Sequence, residues 1–122
     1  MTNEIYNVSI LENIDNLIVE PAFAVGTVVS HTKYNFRAVI IDVDGCYQGE
    51  DNHLAFINEE ERPCPKQPWY QLLVHGGEDT TYVAECMLYS DVSSEPIAHP
   101  MIDKFLTPNV QDGCYQANTL MN

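Results

Sequence analysis

The most reactive side chains of this sequence, its cysteines and histidines, are widely scattered. The four cysteines are Cys46, Cys64, Cys86 and Cys114. No two of them form a C-x-x-C pair, and no cysteine–histidine doublet has the spacing of a zinc finger. A thiol nucleophile would also need a histidine beside it, and the sequence contains no local signature of that arrangement. The pattern favours reduced thiols that mostly fill the core over a metal site, and it predicts no cofactor.

Asp42 and Asp44 are the remaining candidates for acid–base or metal chemistry, because they lie two positions apart at the end of a predicted strand. Residues at i and i+2 share one face of a strand, so the two carboxylates could hold a cation or exchange a proton. Such a pair more often ends a strand and begins a turn, and we favour that interpretation. The sequence therefore predicts a protein that is not an enzyme.

A short segment that mixes cations with aromatic rings has the composition of a binding loop. Lys33 and Arg37 lie beside Tyr34 and Phe36. Aromatic faces stack on ligands, while ammonium and guanidinium groups pair with anions. The alternative, which we favour slightly, is a solvated turn whose aromatic side chains cover the end of the domain. The sequence leaves both interpretations open.

Charge is the most unusual total of the chain. The sequence has 18 acidic and 5 basic residues and a formal net charge of −13. Such a surface repels polyanions over about 8 Å at physiological salt, which disfavours nucleic-acid binding. The 122 residues, 45% of them hydrophobic, are enough for one folded domain. No membrane span or secretion signal is recognisable, so we expect a cytoplasmic protein.

Residues 67–89 are the most strongly patterned part of the chain and predict a β-hairpin. The turn at residues 76–79 contains two glycines, and residues 80–85 return with β-branched and aromatic side chains. One face of the first strand is assigned to the core and consists of Tyr70, Leu72 and Val74. The opposite face carries Trp69, Gln71, Leu73 and His75.

Two further strands are predicted upstream of this hairpin, over residues 23–31 and 37–44. Alternation places Val39 and Ile41 of the second strand, with Val83 of the hairpin, in the same core as the apolar face of the hairpin. The fold is thus expected to have a single antiparallel core.

The remaining segments are predicted to be helix, insertion or tail. A capping box at residues 9–12 and apolar residues at helical spacing predict an amphipathic helix over residues 10–19, within an extension covering residues 1–21. Residues 101–106 predict a short C-terminal helix. Residues 45–66 are interpreted as a partly helical acidic insertion, and residues 107–122 as a loose tail with Tyr115 as its only plausible anchor.

Three ordered motifs within residues 22–106 resemble one protein family. They are Val25-Gly26-x-Val28-Val29-x-His31-x-Lys33-Tyr34-x-Phe36-Arg37 continuing to Asp42-Val43-Asp44, then Pro68-Trp69-Tyr70-x-Leu72-x-Val74 with Thr81-Tyr82-Val83-Ala84-Glu85, and finally Ile97-x-His99-Pro100-x-Ile102. Together they resemble the heat-shock protein HspQ family, also called the YccV-like or hemimethylated-DNA-binding family. The resemblance implies an SH3-like β-barrel over residues 22–106, no enzymatic activity and a capacity for homo-oligomers.

The predicted fold class is therefore mainly β, a small SH3-like antiparallel β-barrel with a short N-terminal helix and a short C-terminal helix. His31 and His99 occupy positions that match the family motifs. For both, a structural hydrogen bond to the backbone is favoured over a catalytic role.

The resemblance implies two alternative functions. The favoured one is a stress or quality-control module, an accessory or adaptor factor that contacts an ATP-dependent protease or its client. Its predicted partner-binding residues are His31, Lys33, Tyr34, Phe36, Arg37, Trp69 and Tyr82. The alternative is hemimethylated-DNA binding, carried by Lys33, Tyr34, Arg37, Arg62 and Lys66. Five cations can neutralise few phosphates, which is why the protein partner is favoured.

Overall fold

The structure, a computed structural model, describes residues 20–49, 57, 60–93, 95–109 and 114–118. The helix predicted over residues 10–19 lies outside these residues, as does much of the predicted helical insertion. The described parts of the insertion, residues 45–49, 57 and 60–66, contain turns and bends but no helix.

Seven β-strands are present in the described ranges. They are β1 (Val28–His31), β2 (Arg37–Asp44), β3 (Trp69–Val74), β4 (Thr80–Ala84), β5 (Leu88–Ser90), β6 (Leu106–Asn109) and β7 (Cys114–Ala117). A 3₁₀ turn at Glu85–Met87 precedes β5, and the one-turn helix α1 (Ile102–Phe105) precedes β6. The protein is therefore mainly β with antiparallel pairing, and the prediction of a short C-terminal helix is confirmed.

The predicted central hairpin is confirmed as β3 and β4. Its register runs from Trp69 opposite Ala84 to Leu73 opposite Thr80. Gly76 begins the turn with a φ of 84°, a conformation that glycine adopts without the steric penalty of a side chain. The Gly76 backbone N–H donates to the Ala98 carbonyl at 2.8 Å, so the turn is also fixed from outside.

The larger sheet has the strand order β4-β3-β2-β1-β5 and is curled but open. The strands β4 and β5 lie at opposite ends of this order, yet only the three-residue turn at Glu85–Met87 separates them in sequence. The sheet must therefore bend until its two edges approach each other. The predicted SH3-like β-barrel is mainly β and antiparallel as expected, but it is not closed in the described residues, because the 3₁₀ turn crosses the gap where a ladder between β4 and β5 would be needed.

Two hydrophobic clusters cover the two faces of the sheet, where one core was predicted. The first consists of Val29, Ala38, Ile40, Tyr70, Leu72, Val83 and Leu88. The second consists of Val28, Val39, Leu73, Ile97 and Leu106.

Two assignments to the single core were wrong, because Val39 belongs to the second cluster and Ile41 is half-buried against that cluster. Val74 is half-buried at the end of β3 but packs against the first cluster with Tyr70 and Leu72, as predicted. Leu73, assigned to the opposite face of the hairpin, is completely buried. The reason is that Ile97 and Leu106, from segments that follow the hairpin in sequence, cover this second face.

The predicted loose tail contains an ordered strand. The residues of β7 pair with β6, from Leu106 opposite Ala117 to Asn109 opposite Cys114. Tyr115 anchors this strand as expected, since its hydroxyl accepts a hydrogen bond from the Ile97 N–H at 2.9 Å.

Close backbone contact between β7 and the larger sheet requires a glycine at position 26. The Tyr115 N–H donates to the Gly26 carbonyl at 3.2 Å, and Gly26 has a φ of 95°. A Cβ atom at Gly26 would lie 1.9 Å from the Tyr115 carbonyl oxygen. Only a residue without a side chain fits there.

Three of the four cysteines are not core filler. Cys46, Cys64 and Cys86 are free and exposed, because each lies in a loop or a 3₁₀ turn rather than on a buried strand face. Within the described ranges, no group of three or more histidine, cysteine or acidic residues is arranged to hold a metal ion. The described helices include none long and apolar enough to cross a membrane.

Leu72→Ala should destabilise the fold by about 2–5 kcal/mol, because it removes a side chain that has no exposed surface and leaves a cavity in its place. Urea unfolding followed by tryptophan fluorescence measures the change. Val92→Ala is the matched control, since Val92 is 91% exposed and its loss should shift stability by less than about 0.5 kcal/mol. Equal effects of the two substitutions would contradict the core assignment.

Candidate functional site: an aromatic groove

A groove of about 430 Å³ lies between the β1–β2 turn, the segment after β2 and the strand β4. Six of the seven predicted partner-binding residues line it: His31, Lys33, Tyr34, Phe36, Trp69 and Tyr82. The other lining residues are Tyr47, Ile57, Glu61, Pro63, Thr81, Val83, Ala84 and Met87. We call this feature the aromatic groove, because six of its residues carry aromatic rings.

The β1–β2 turn forms one wall of the aromatic groove and is held by His31. This histidine is 4% exposed, and its Nδ1 accepts hydrogen bonds from the backbone N–H groups of Lys33 and Tyr34, both at 3.0 Å. Its ring stacks on Tyr34 with centroids 5.0 Å apart and contacts Phe36 at 4.7 Å. The predicted structural role of His31 is confirmed. The turn is thereby rigid enough to present Tyr34, which is 66% exposed.

His99 also has the predicted structural role. Its Nδ1 accepts from the Met101 N–H at 3.0 Å, and its Nε2 lies 3.1 Å from the Asp79 carbonyl oxygen. An Nδ1 that accepts leaves Nε2 as the protonated nitrogen and donor. This histidine therefore joins the segment before α1 to the turn before β4.

Three aromatic rings pack together at the other end of the groove. Trp69 lies 4.8 Å from Tyr47 and 5.3 Å from Tyr82 between ring centroids, and Tyr47 lies 5.8 Å from Tyr82. These distances fall in the range of favourable aromatic pairs. The cluster joins the segment after β2 to β3 and β4.

The polar atoms of Tyr82 and Trp69 in this cluster are satisfied inside the protein. The Tyr82 hydroxyl donates to an Asp44 carboxylate oxygen at 2.6 Å and accepts from the Gln48 N–H at 3.0 Å. The Trp69 indole N–H donates to the Cys64 carbonyl at 3.3 Å. The rings therefore offer apolar faces to a ligand without leaving a buried donor unpaired.

Asp42 and Asp44 do not form an acid–base pair. The Asp42 carboxylate accepts from the adjacent Val43 N–H at 2.9 Å, whereas Asp44 accepts from Tyr82. Burial, together with the Asp44 hydrogen bond, raises the pKa of Tyr82 to about 12. Each carboxylate thus makes a structural hydrogen bond, and the pair ends β2 as the favoured interpretation predicted.

Lys33 is the cation of the groove and is paired across its mouth. Its Nζ lies 3.3 Å from a Glu61 carboxylate oxygen and 5.4 Å from the centroid of the Tyr34 ring. The two charged side chains are 49% and 61% exposed, so solvent screens their attraction and the pair can open readily.

Arg37, the seventh predicted residue, does not line the groove. Its guanidinium donates to an Asp91 carboxylate oxygen at 3.0 Å and to the Glu95 carbonyl oxygen. The Arg37 hydrogen bond lowers the pKa of Asp91 from its ordinary value. Arg37 therefore connects β2 to the segment after β5.

Only two of the predicted DNA-binding residues line the aromatic groove. Lys33 and Tyr34 line the groove, whereas Arg37 is held by Asp91. Arg62 donates to the Ile57 carbonyl at 3.0 Å, and Lys66 is exposed outside the groove.

Most groove residues opposite the β1–β2 turn could not be predicted from the sequence. Tyr47, Glu61 and Met87 lie in segments without strand alternation, so no periodic signal marked them. Tyr47 contacts Trp69 and Tyr82 only after the sheet has folded, because these residues are distant in sequence. The acidic cluster at residues 59–61 was the single local hint, and it indicated charge rather than position.

The chain matches a known protein family. The family model described as hemimethylated DNA-binding protein YccV like matches residues 21–112. The matched span contains the complete five-stranded sheet and every residue that lines the aromatic groove.

The stability of the β1–β2 turn should fall in mild acid. Burial, and then the charge of Lys33, lowers the pKa of His31 below its ordinary value of 6.5. Because the pKa of His31 is lower in the folded chain than in the unfolded chain, protonation of His31 favours unfolding. The contribution of the neutral His31 ring to the free energy of unfolding is therefore complete above pH 6.5 and is lost as pH falls through the folded pKa.

Urea unfolding of the protein and of His31→Ala, each at neutral pH and at a pH about one unit below 6.5, measures this effect. We expect His31→Ala to be less stable at neutral pH and to lose part of the acid sensitivity. His75→Ala is the control for a general effect of removing an imidazole. An unchanged pH slope in His31→Ala would contradict the assignment.

Proposed function

Because the chain belongs to the YccV-like hemimethylated-DNA-binding family, we propose that it is a non-enzymatic binding module of protein quality control. In this role it serves as an accessory or adaptor factor for an ATP-dependent protease. It would bind the protease or a client protein through the aromatic groove. The free thiols at Cys46, Cys64 and Cys86 fit the reducing cytoplasm, which we take as its location.

The observation that carries this proposal is the gathering of aromatic rings from three separate segments into one groove. Tyr34 comes from the β1–β2 turn, Tyr47 from the segment after β2, and Trp69 and Tyr82 from the hairpin. Aromatic side chains in a pocket dominate binding energy in many protein interfaces. The volume of about 430 Å³ is enough to hold side chains of a partner.

Electrostatics also favours a protein partner. A formal net charge of −13 imposes no penalty on contact with a neutral or basic protein surface, and it accelerates association with a basic one. The same negative charge repels a polyanion and slows its association.

Hemimethylated-DNA binding is the second candidate, because the matching family is described by that activity. Against it stands the pairing of the cations within the described structure. Lys33 contacts Glu61, and Arg37 contacts Asp91. Releasing either cation to a phosphate exposes a carboxylate next to the DNA, which offsets part of the gain.

Tyr34→Ala should weaken binding of the protease or client by about tenfold, because it removes an exposed aromatic anchor from the groove. Tyr89→Ala is the matched control: Tyr89 is an exposed tyrosine on β5 outside the groove, and its loss should leave binding unchanged. The partner is first recovered by pull-down from heat-stressed lysate and identified, and its affinity is then measured by titration with the purified protein. Equal affinities of the two variants would contradict a binding role for the groove.

DNA binding should be weak, with a dissociation constant no tighter than about 10⁻⁶ M at physiological salt. Fluorescence anisotropy with hemimethylated and fully methylated duplexes at two salt concentrations measures it. Nanomolar binding that prefers the hemimethylated duplex and disappears in Lys33→Ala/Arg37→Ala would reverse the order of the two candidates.

A further inference from the structure

We propose that the aromatic groove receives an extended, lysine- or arginine-containing segment of the partner protein, which pairs with β4 as an additional β-strand. The proposal rests on the proposed function, because it specifies how a protein partner occupies the same groove. Its basis is the position of the groove on the sheet, the direction of the backbone groups of β4 and the charge around them.

The groove follows the edge of the sheet rather than one of its faces. The strand β4 is the last in the order β4-β3-β2-β1-β5, and in the described residues it pairs only with β3. Four consecutive residues of β4, 81–84, line the groove. Successive side chains of a strand point to opposite faces, so a groove lined by four in a row must run along the strand's edge.

The register determines which backbone groups of β4 are turned towards this edge. The Glu85 N–H donates to the Pro68 carbonyl at 2.9 Å, which makes 68 and 85 a hydrogen-bonded pair. Such pairs alternate with non-hydrogen-bonded ones along an antiparallel ladder. Tyr82, opposite Gln71, and Thr80, opposite Leu73, are therefore non-hydrogen-bonded positions.

At these positions the backbone N–H and C=O groups point away from β3. No other backbone group of the described chain bonds to Thr80 or Tyr82 at this edge. A partner strand can supply the missing hydrogen bonds, which is how an extended peptide adds to an open sheet edge.

Both sides of the edge offer apolar contacts to such a strand. Tyr82 and Trp69 lie on one side, with ring centroids 5.3 Å apart. Val83 lies on the other, in the cluster against which Phe36 and Met87 pack. Because the side chains of an added strand alternate, neighbouring residues of the segment would contact these two sides in turn.

Charge defines the polar part of the segment. Glu61 lies at the groove mouth, Glu78 and Asp79 precede β4, and the chain as a whole carries −13. Lys33 already neutralises Glu61, but this exposed pair is weak enough for a cation of the partner to replace Lys33. A basic, extended protein segment therefore fits the groove better than an acidic segment or a nucleic acid.

The experiment uses the full chain and a fluorescein-labelled synthetic peptide in which valine and lysine alternate around one tryptophan. We expect binding by anisotropy, and loss of binding when glutamate replaces lysine. Two further peptides carry N-methyl groups on alternate amides, one on the odd-numbered amides and the other on the even-numbered amides. One of these two phases of N-methylation should weaken binding about fivefold or more, because it removes the donors to β4. The opposite phase should have little effect, since its methylated amides face solvent. Equal effects of the two phases, or no binding at all, would overturn strand addition.

Lys33→Ala distinguishes the basic segment from a polyanion in the same groove. We expect this variant to bind the peptide a few-fold more tightly than the unchanged protein, because Glu61 loses its internal partner. A nucleic acid would instead lose affinity when Lys33 is removed. Tyr34→Ala should weaken the peptide complex, whereas Tyr89→Ala should not.

Other occupants give different results, and each would overturn the proposal. Tighter binding of a single-stranded oligonucleotide than of the peptide would assign the groove to nucleic acid. Concentration-dependent dimerisation that is lost in Tyr34→Ala would assign it to a second copy of the chain. If the natural partner binds in a Tyr34-dependent manner while neither N-methylation phase matters, strand addition fails and the proposed function stands. If the partner also binds Tyr34→Ala normally, both fail.

Discussion

Pairing of β2 with β3 is the interaction on which the rest of the structure depends. Ile40 lies opposite Leu72, and Val39 lies opposite Leu73. All four side chains are completely buried, but the first pair belongs to one hydrophobic cluster and the second to the other. A slip of one residue would exchange the two faces and destroy both clusters. A shift of the register between Ile40 and Asp42 then places Trp69 opposite Asp44, which fixes the end of the aromatic groove.

The elements predicted correctly were those that neighbouring residues determine. Alternation and the glycine turn located the hairpin, and the limits of β2 coincide with the predicted strand at residues 37–44. The open edge between β4 and β5 could not be predicted, because it depends on three residues at Glu85–Met87 that carry no strong pattern. The strand β7 was also missed, since its order comes from contacts with Gly26 and Ile97, distant in sequence.

The candidate site shows the same division between local and distant information. The mixture of cations and rings at residues 33–37 indicated a binding loop at the β1–β2 turn. Alternation predicted that Trp69 lies on the opposite face of the strand from Leu72. Arg37 was included by proximity in sequence, yet its guanidinium reaches Asp91 rather than the groove. Tyr47 became a neighbour of Tyr82 only through folding. Composition thus identified the kind of surface, while strand pairing decided its members.

The curled sheet also has a consequence for the order of folding. The two strands of the β3–β4 hairpin are joined by a short turn, whereas β1 must pair with β5 across the whole intervening sequence, Val29 with Ser90. Pairings distant in sequence form later, because they require closure of a longer loop. Until β5 arrives, one side of the fully buried strand β1 lacks a partner. We therefore expect the nascent chain to be most prone to aggregation during this last step, with the β1–β5 amides the last to gain protection in pulsed hydrogen exchange.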